Sequence, residues 1–101
     1  MTWLLNMRKR FSFDDLHFTE GLGGIMRTRI KFGPKYSLSI IKEPQKSLYE
    51  IGALINGELN ELPGITDEGN SIRQGLSPDD INFLIMKMHT ISTEQPQEEN
   101  V

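Results

Sequence analysis

The chain has no cysteine in its 101 residues. That excludes disulfides, thiolate metal sites and cysteine nucleophiles at once. Tryptophan occurs once and histidine twice, and no His/Asp/Glu spacing has the form of a metal site. No apolar run approaches the ~18–20 residues that a membrane-spanning helix requires. The opening stretch MTWLLNMRKR carries its charges after its apolar residues, the reverse of a secretory signal. A soluble cytoplasmic protein with no membrane contact is the expectation. Also missing are a nucleophile elbow and a phosphate loop. The glycine-rich stretch at Gly21 to Gly24 lacks the following helix and lysine that would give it such a meaning.

What is present has an ordinary balance, 25% charged with a net charge of −3, in a length that suits one domain. The average hides a split. Residues 27–46 hold six basic side chains against one acid, whereas residues 47–101 hold ten acids against two bases. Such a division marks a binding surface, or lets one part of a fold or a dimer attract another.

Residues 1–25 contain Trp3, Leu4, Leu5, Phe11, Phe13, Leu16 and Phe18, spaced with a period of neither 3.6 nor 2. The pair Gly23-Gly24 can be encoded as a ribosome-binding sequence, and Ile25 then supplies a spacer before Met26. This is the expected look of a bacterial or phage translation start placed too far upstream. Residues 1–25 are therefore read either as a leader or as a native N-terminal arm on a glycine hinge.

From Met26 the pattern is that of strands. Arg27, Arg29 and Lys31 alternate with Thr28, Ile30 and Phe32, giving one basic face and one largely apolar face. Gly33-Pro34 turns the chain, and residues 36–42 alternate again with Tyr36, Leu38 and Ile40 on one side. Residues 48–55 form a third strand. Asn56-Gly57 tolerates the positive φ of a two-residue hairpin, pairing Ile55 with Glu58, Leu54 with Leu59 and Ile51 with Leu62. Between residues 36–42 and 48–55, only registers whose residue numbers sum to an odd value set Ile40 beside Tyr49 or Ile51. Residues 65–74 read as a loop, with room for a short strand.

A helix follows. Ser77 is its N-cap, Pro78 occupies the first helical position, and Asp79 and Asp80 sit where the dipole favours acids. Asp80 completes a shortened capping box, and Leu76 and Ile81 form a hydrophobic staple. Ile81, Leu84, Ile85, Met88 and Ile91 make one apolar stripe. The acidic tail at residues 93–101 is expected to be disordered. The fold class is thus α+β: a small antiparallel sheet of three or four strands with one C-terminal helix packed on one face, spanning residues 26–92.

Chemistry-bearing groups are sparse. His17 falls in the doubtful leader, and His89 lies at the border of the helix stripe, where a mildly stabilising structural role is expected. Asp79-Asp80 is accounted for by capping, and Asp67-Glu68-Gly69-Asn70 lacks the remaining ligands of a calcium loop. No catalytic residue, metal ligand or cofactor is assigned, and the chain is read as a non-enzyme.

Two surfaces stand out. Phe83 and Met86 point away from the buried stripe at 100° per residue. Together with Thr90 they form a candidate protein interface, for a homodimer or another protein, unless the leader covers them. The leading expectation is a small binding protein of a bacterium or phage, acting through protein contact as an inhibitor or anti-defence accessory. The alternative places a small anionic ligand, a nucleotide or nucleic acid, on Arg27, Arg29, Lys31, Lys35 and Tyr36. The negative overall charge disfavours a long nucleic acid, and a guard of cations along an exposed strand edge explains the same row.

Overall fold

The structure is a computed structural model that describes residues 11–94. Trp3, Leu4 and Leu5, and the tail from residue 95 onward, lie outside the described residues. Among the described residues six strands form one antiparallel sheet: β1 (Thr19–Glu20), β2 (Met26–Phe32), β3 (Tyr36–Lys42), β4 (Tyr49–Ile55), β5 (Glu58–Leu59) and β6 (Ile72–Leu76). One α-helix among these residues, α1 (Pro78–Glu94), follows them. The α+β class and the single C-terminal helix match the sequence reading; the count of three or four strands is too low.

The period-two patterns decide the centre of the sheet. β2 pairs with β3 without interruption from Met26–Lys42 to Phe32–Tyr36. β3 pairs with β4 so that Ile40 faces Ile51 and Leu38 faces Ala53, the odd-sum register that keeps apolar side chains on one face. Asn56 and Gly57 turn with φ of 54° and 85°, and Leu54–Leu59 and Ile55–Glu58 pair as the hairpin predicts.

Past Leu59 the hairpin stops, so Ile51 does not meet Leu62. Its partner is Arg73 of β6, which shares the far edge of β4 with β5. Ala53 marks the seam: its N–H donates to the Ser71 carbonyl at 3.1 Å, and its carbonyl accepts from Asn60 at 3.0 Å. The backbone groups of β4 are thus served by two short strands in place of one long one.

Residues 11–25, read above as leader or arm, lie on the domain. The Phe13 N–H donates to Asn82 Oδ1 of α1 at 2.7 Å. Its ring meets Tyr49 edge-on at 5.1 Å and Phe18 at 6.0 Å. Phe13, Leu16 and Phe18 are half-buried against the core. β1 then pairs with the start of β2 through Thr19–Arg27 and Glu20–Met26. The turn between them uses φ of 71° at Gly23 and 80° at Gly24, a backbone region that favours glycine.

The helix begins as its sequence requires. Ser77 N–H donates to Asp80 Oδ2 at 3.0 Å and Asp80 N–H to Ser77 Oγ at 3.1 Å, a reciprocal capping box built with Asp. Ile81, Leu84, Ile85 and Met88 are fully buried over Leu38, Ile40 and Ile51, each side chain contributing about 1.5–3 kcal/mol by leaving water. Helical structure continues through Thr93 to Glu94, beyond the tail boundary expected after Ser92; neither residue carries a stop signal, and the proline comes later, at Pro96. His89 is half-buried with its ring edge-on to Phe32 at 5.0 Å, at the border of the stripe as expected.

Candidate functional site

One face of α1 is consumed by the core; the other is open. Phe83 is 57% exposed and Met86 54%, and Thr90, one turn further, is exposed as well. Positions i, i+3 and i+7 share a helix face, so the three make a stripe. Lys87 Nζ sits 4.9 Å from the Phe83 ring centroid and also donates to the Gly64 carbonyl at 3.1 Å. The Thr90 hydroxyl donates back to the Met86 carbonyl at 3.3 Å, so it needs no external partner. Phe13, Leu16 and Phe18, which could have covered this stripe, pack instead against the core beside Tyr49.

The opposite side of the molecule is the outer face of the sheet. Arg27, Arg29 and Lys31 project there from β2, all exposed, at the ~6.6–6.8 Å spacing of alternate strand residues. Among the described residues the ion pair found is Arg73–Asp67 at 3.9 Å, so none of these three cations has an acidic partner. The rest of the proposed anion site is not beside them. Tyr36 is only 5% exposed and pairs with Phe32 on the core face. Lys35 lies in the turn, with Nζ 5.6 Å from the Tyr36 ring. The basic row is therefore assembled as alternation predicts, but without its stacking ring. Tyr36 shares its alternation with the core residues Leu38 and Ile40, a sign legible in the sequence.

Next to the basic row the outer face is hollow. A concavity of about 430 Å³ has Arg29 on one side, Ser39 and Gly52 on its floor, and Leu54, Leu59 and Ile72 on the other. It exists because the central strand carries glycine at this point. A Cβ on Gly52 would come within 3.0 Å of Leu59 Cδ2, so the Leu59 side chain leans over the vacant position. A second hollow of about 560 Å³ adjoins it and shares Ile41 and Glu50, with Leu48 and Lys46 further along. Alternation along residues 48–55 places Gly52 and Leu54 together, but the walls come from β5 and β6, whose placement the sequence does not disclose.

Asp80 is held below the ordinary carboxylate range by the Ser77 backbone N–H first and by its hydroxyl second, the electrostatic mark of the helix cap. The Asp67 to Asn70 turn is tied internally: Asn70 N–H donates to the Asp67 carbonyl at 3.0 Å and Gly69 N–H to Glu61 Oε2 at 2.7 Å. Among the described residues, no group of three or more His, Asp or Glu side chains is placed to hold a metal ion. No helix among them is long and apolar enough to cross a membrane.

Compared with protein-family models, curated proteins and solved structures, the chain matches none of them. Its function is therefore argued from its own surfaces.

Proposed function

We propose that the chain is a small non-catalytic binding protein that works through protein–protein contact, with the outward stripe of α1 as the contact and a second copy of the chain as its occupant. The observation that carries this reading is the exposure of Phe83 and Met86 on a helix whose opposite face is fully engaged in the core. Large apolar side chains of this kind are enriched at interfaces. The charge order along α1 supports a second copy as the occupant. Asp79 and Asp80 stand at its start and Lys87 in its second half, so an antiparallel copy sets unlike charges together and opposes the helix dipoles. A two-fold contact needs one patch that complements itself, and Phe83 over the partner copy's Met86 supplies it. An inhibitory or anti-defence role in a bacterium or phage is the finer form of this proposal.

The test is Phe83→Asp. The substitution places a charge in the contact at an exposed site, so association is lost while the fold remains, read by light scattering beside far-UV circular dichroism. Unchanged association refutes the surface.

A second reading has the basic row in its favour: a nucleotide or nucleic acid on Arg27, Arg29 and Lys31. The burial of Tyr36 on the other face weakens it, because binding of single strands leans on rings for stacking. This reading requires affinity that falls steeply with salt and disappears when all three cations become alanine.

A further inference from the structure

β2 is covered by a neighbour along only part of its outer edge. β1 pairs with Met26 and Arg27, and from Thr28 to Phe32 no described strand follows on that side. Five residues span ~17 Å of strand. The edge is regular, since pairing with β3 runs from end to end without a bulge. The edge of β6 on the far side of the sheet differs: its pairing shifts register between Tyr49 and Ile51, and Gly75 has a φ of 75°. Bulges and bends of that kind blunt an edge against pairing. β2 is left as the straight, receptive edge.

Charge on that edge selects what can pair with it. An antiparallel second copy of β2 centred on Ile30 would set Arg29 directly opposite Lys31, and like charges directly opposite are destabilising. The basic row thus guards against edge-to-edge pairing of two copies. It does the reverse for a strand of acids. Glutamates at alternate positions would stand opposite Arg29 and Lys31 on the outer face. The intervening side chains would lie on the core face beside Ile30 and Phe32, both buried residues of the core. Nucleic acid fits less well: Phe32 and Tyr36, the rings of this end of the sheet, belong to the core face.

We propose that the open edge of β2 from Thr28 to Phe32 receives an extended acidic segment of a partner protein as an added strand, with acids at alternate positions paired to Arg29 and Lys31. Backbone hydrogen bonds supply the affinity and the alternating charges supply the specificity. The edge and the α1 stripe are separate surfaces, so this proposal stands or falls apart from self-association.

The experiment uses the full chain and labelled peptides of about seven residues. One alternates glutamate and valine, an isomer of the same composition groups the glutamates together, and two more are the alternating peptide N-methylated on its odd or on its even residues. Fluorescence anisotropy at low salt should show the alternating peptide binding about tenfold more tightly than its isomer, with binding lost on one pattern of N-methylation. Hydrogen exchange at Thr28 to Phe32 should slow in the complex. The double variant Arg29→Glu, Lys31→Glu should lose this peptide and gain one that alternates lysine and valine, a gain that also shows the variant is folded. Equal binding of the isomer, indifference to N-methylation, tighter binding of a single-stranded oligonucleotide, or no binding of the alternating peptide would each overturn the proposal.

Discussion

Replacing Asn82 by alanine asks whether the segment before β2 is held as described. The side-chain carbonyl of Asn82 is the acceptor for the Phe13 N–H at 2.7 Å in a partly buried setting. Alanine removes the acceptor and leaves that N–H without a partner beside packed aromatic rings. An unsatisfied buried donor costs about 1–3 kcal/mol, and partial burial puts this case at about 1–2 kcal/mol. The loss has a ceiling, because the segment can detach: once Phe13 leaves Tyr49 and Phe18, further substitutions within it add little. Urea denaturation of the full chain measures it. With a slope of about 1–1.5 kcal/mol/M for a domain of this size, the midpoint should fall by about 1 M. Asn82→Asp is the control, since a carboxylate still accepts the hydrogen bond and sits near the helix N-terminus, where a negative charge is favoured. The reasoning is refuted if Asn82→Ala leaves the midpoint unchanged, or if Asn82→Asp lowers it as much as alanine does.

Ser77→Ala should cost about 1 kcal/mol through loss of the helix cap, measured by the same denaturation. The cap also carries a pH dependence. Because the folded state holds the Asp80 carboxyl below its ordinary value through the Ser77 hydrogen bonds, its stabilisation is present above the unfolded pKa and is lost as pH falls through the folded pKa. Ser77→Ala removes only the second of these, the hydroxyl, and keeps the backbone N–H, so it should flatten the acid limb in part. Asp80→Asn should remove that contribution altogether, and an equally steep limb in Asp80→Asn would contradict the assignment. Leu38→Ala empties a fully buried position at the centre of the sheet. A cost of about 2–5 kcal/mol should lower the melting temperature by at least about 8 °C, and a drop of only a degree or two by calorimetry would mean that the core is elsewhere.

Much of this fold was readable from local chemistry. β2, β3 and β4 announce themselves by alternation, Asn56-Gly57 by its turn, and α1 by Ser77, Pro78 and Asp80. Even the parity of the β3–β4 register follows from keeping Ile40 beside Tyr49 or Ile51, and Ile51 is the partner found. The unread parts share a physical reason. β1 is two exposed residues, too short to carry a period. β6 reads IRQGL, with a bulged pairing and a glycine at positive φ, so its alternation is broken where it pairs. Phe13, Leu16 and Phe18 bury themselves from irregular chain, and an irregular chain imposes no spacing on its apolar residues. The pairing of Ile51 failed for a competitive reason: β6 occupies the edge that a longer hairpin would have used.

The candidate surfaces show the same division. Phe83, Met86 and Thr90 were placed by the helical period alone, and Arg27, Arg29 and Lys31 by the period of two. Tyr36 was misassigned to the basic row because it lies near Lys35 in sequence, while its alternation with Leu38 and Ile40 put it in the core. The hollow over Gly52 depends on which strands flank β4, a long-range fact that no local pattern states.

The central claim is that the α1 stripe carries a protein contact made by a second copy of the chain. Light scattering across a concentration series, on the full chain and on Phe83→Asp, tests it most directly. The account predicts a wild-type particle of twice the chain mass and a variant of one chain mass with unchanged circular dichroism. A wild-type monomer at every concentration, or a variant that still dimerises, would contradict it.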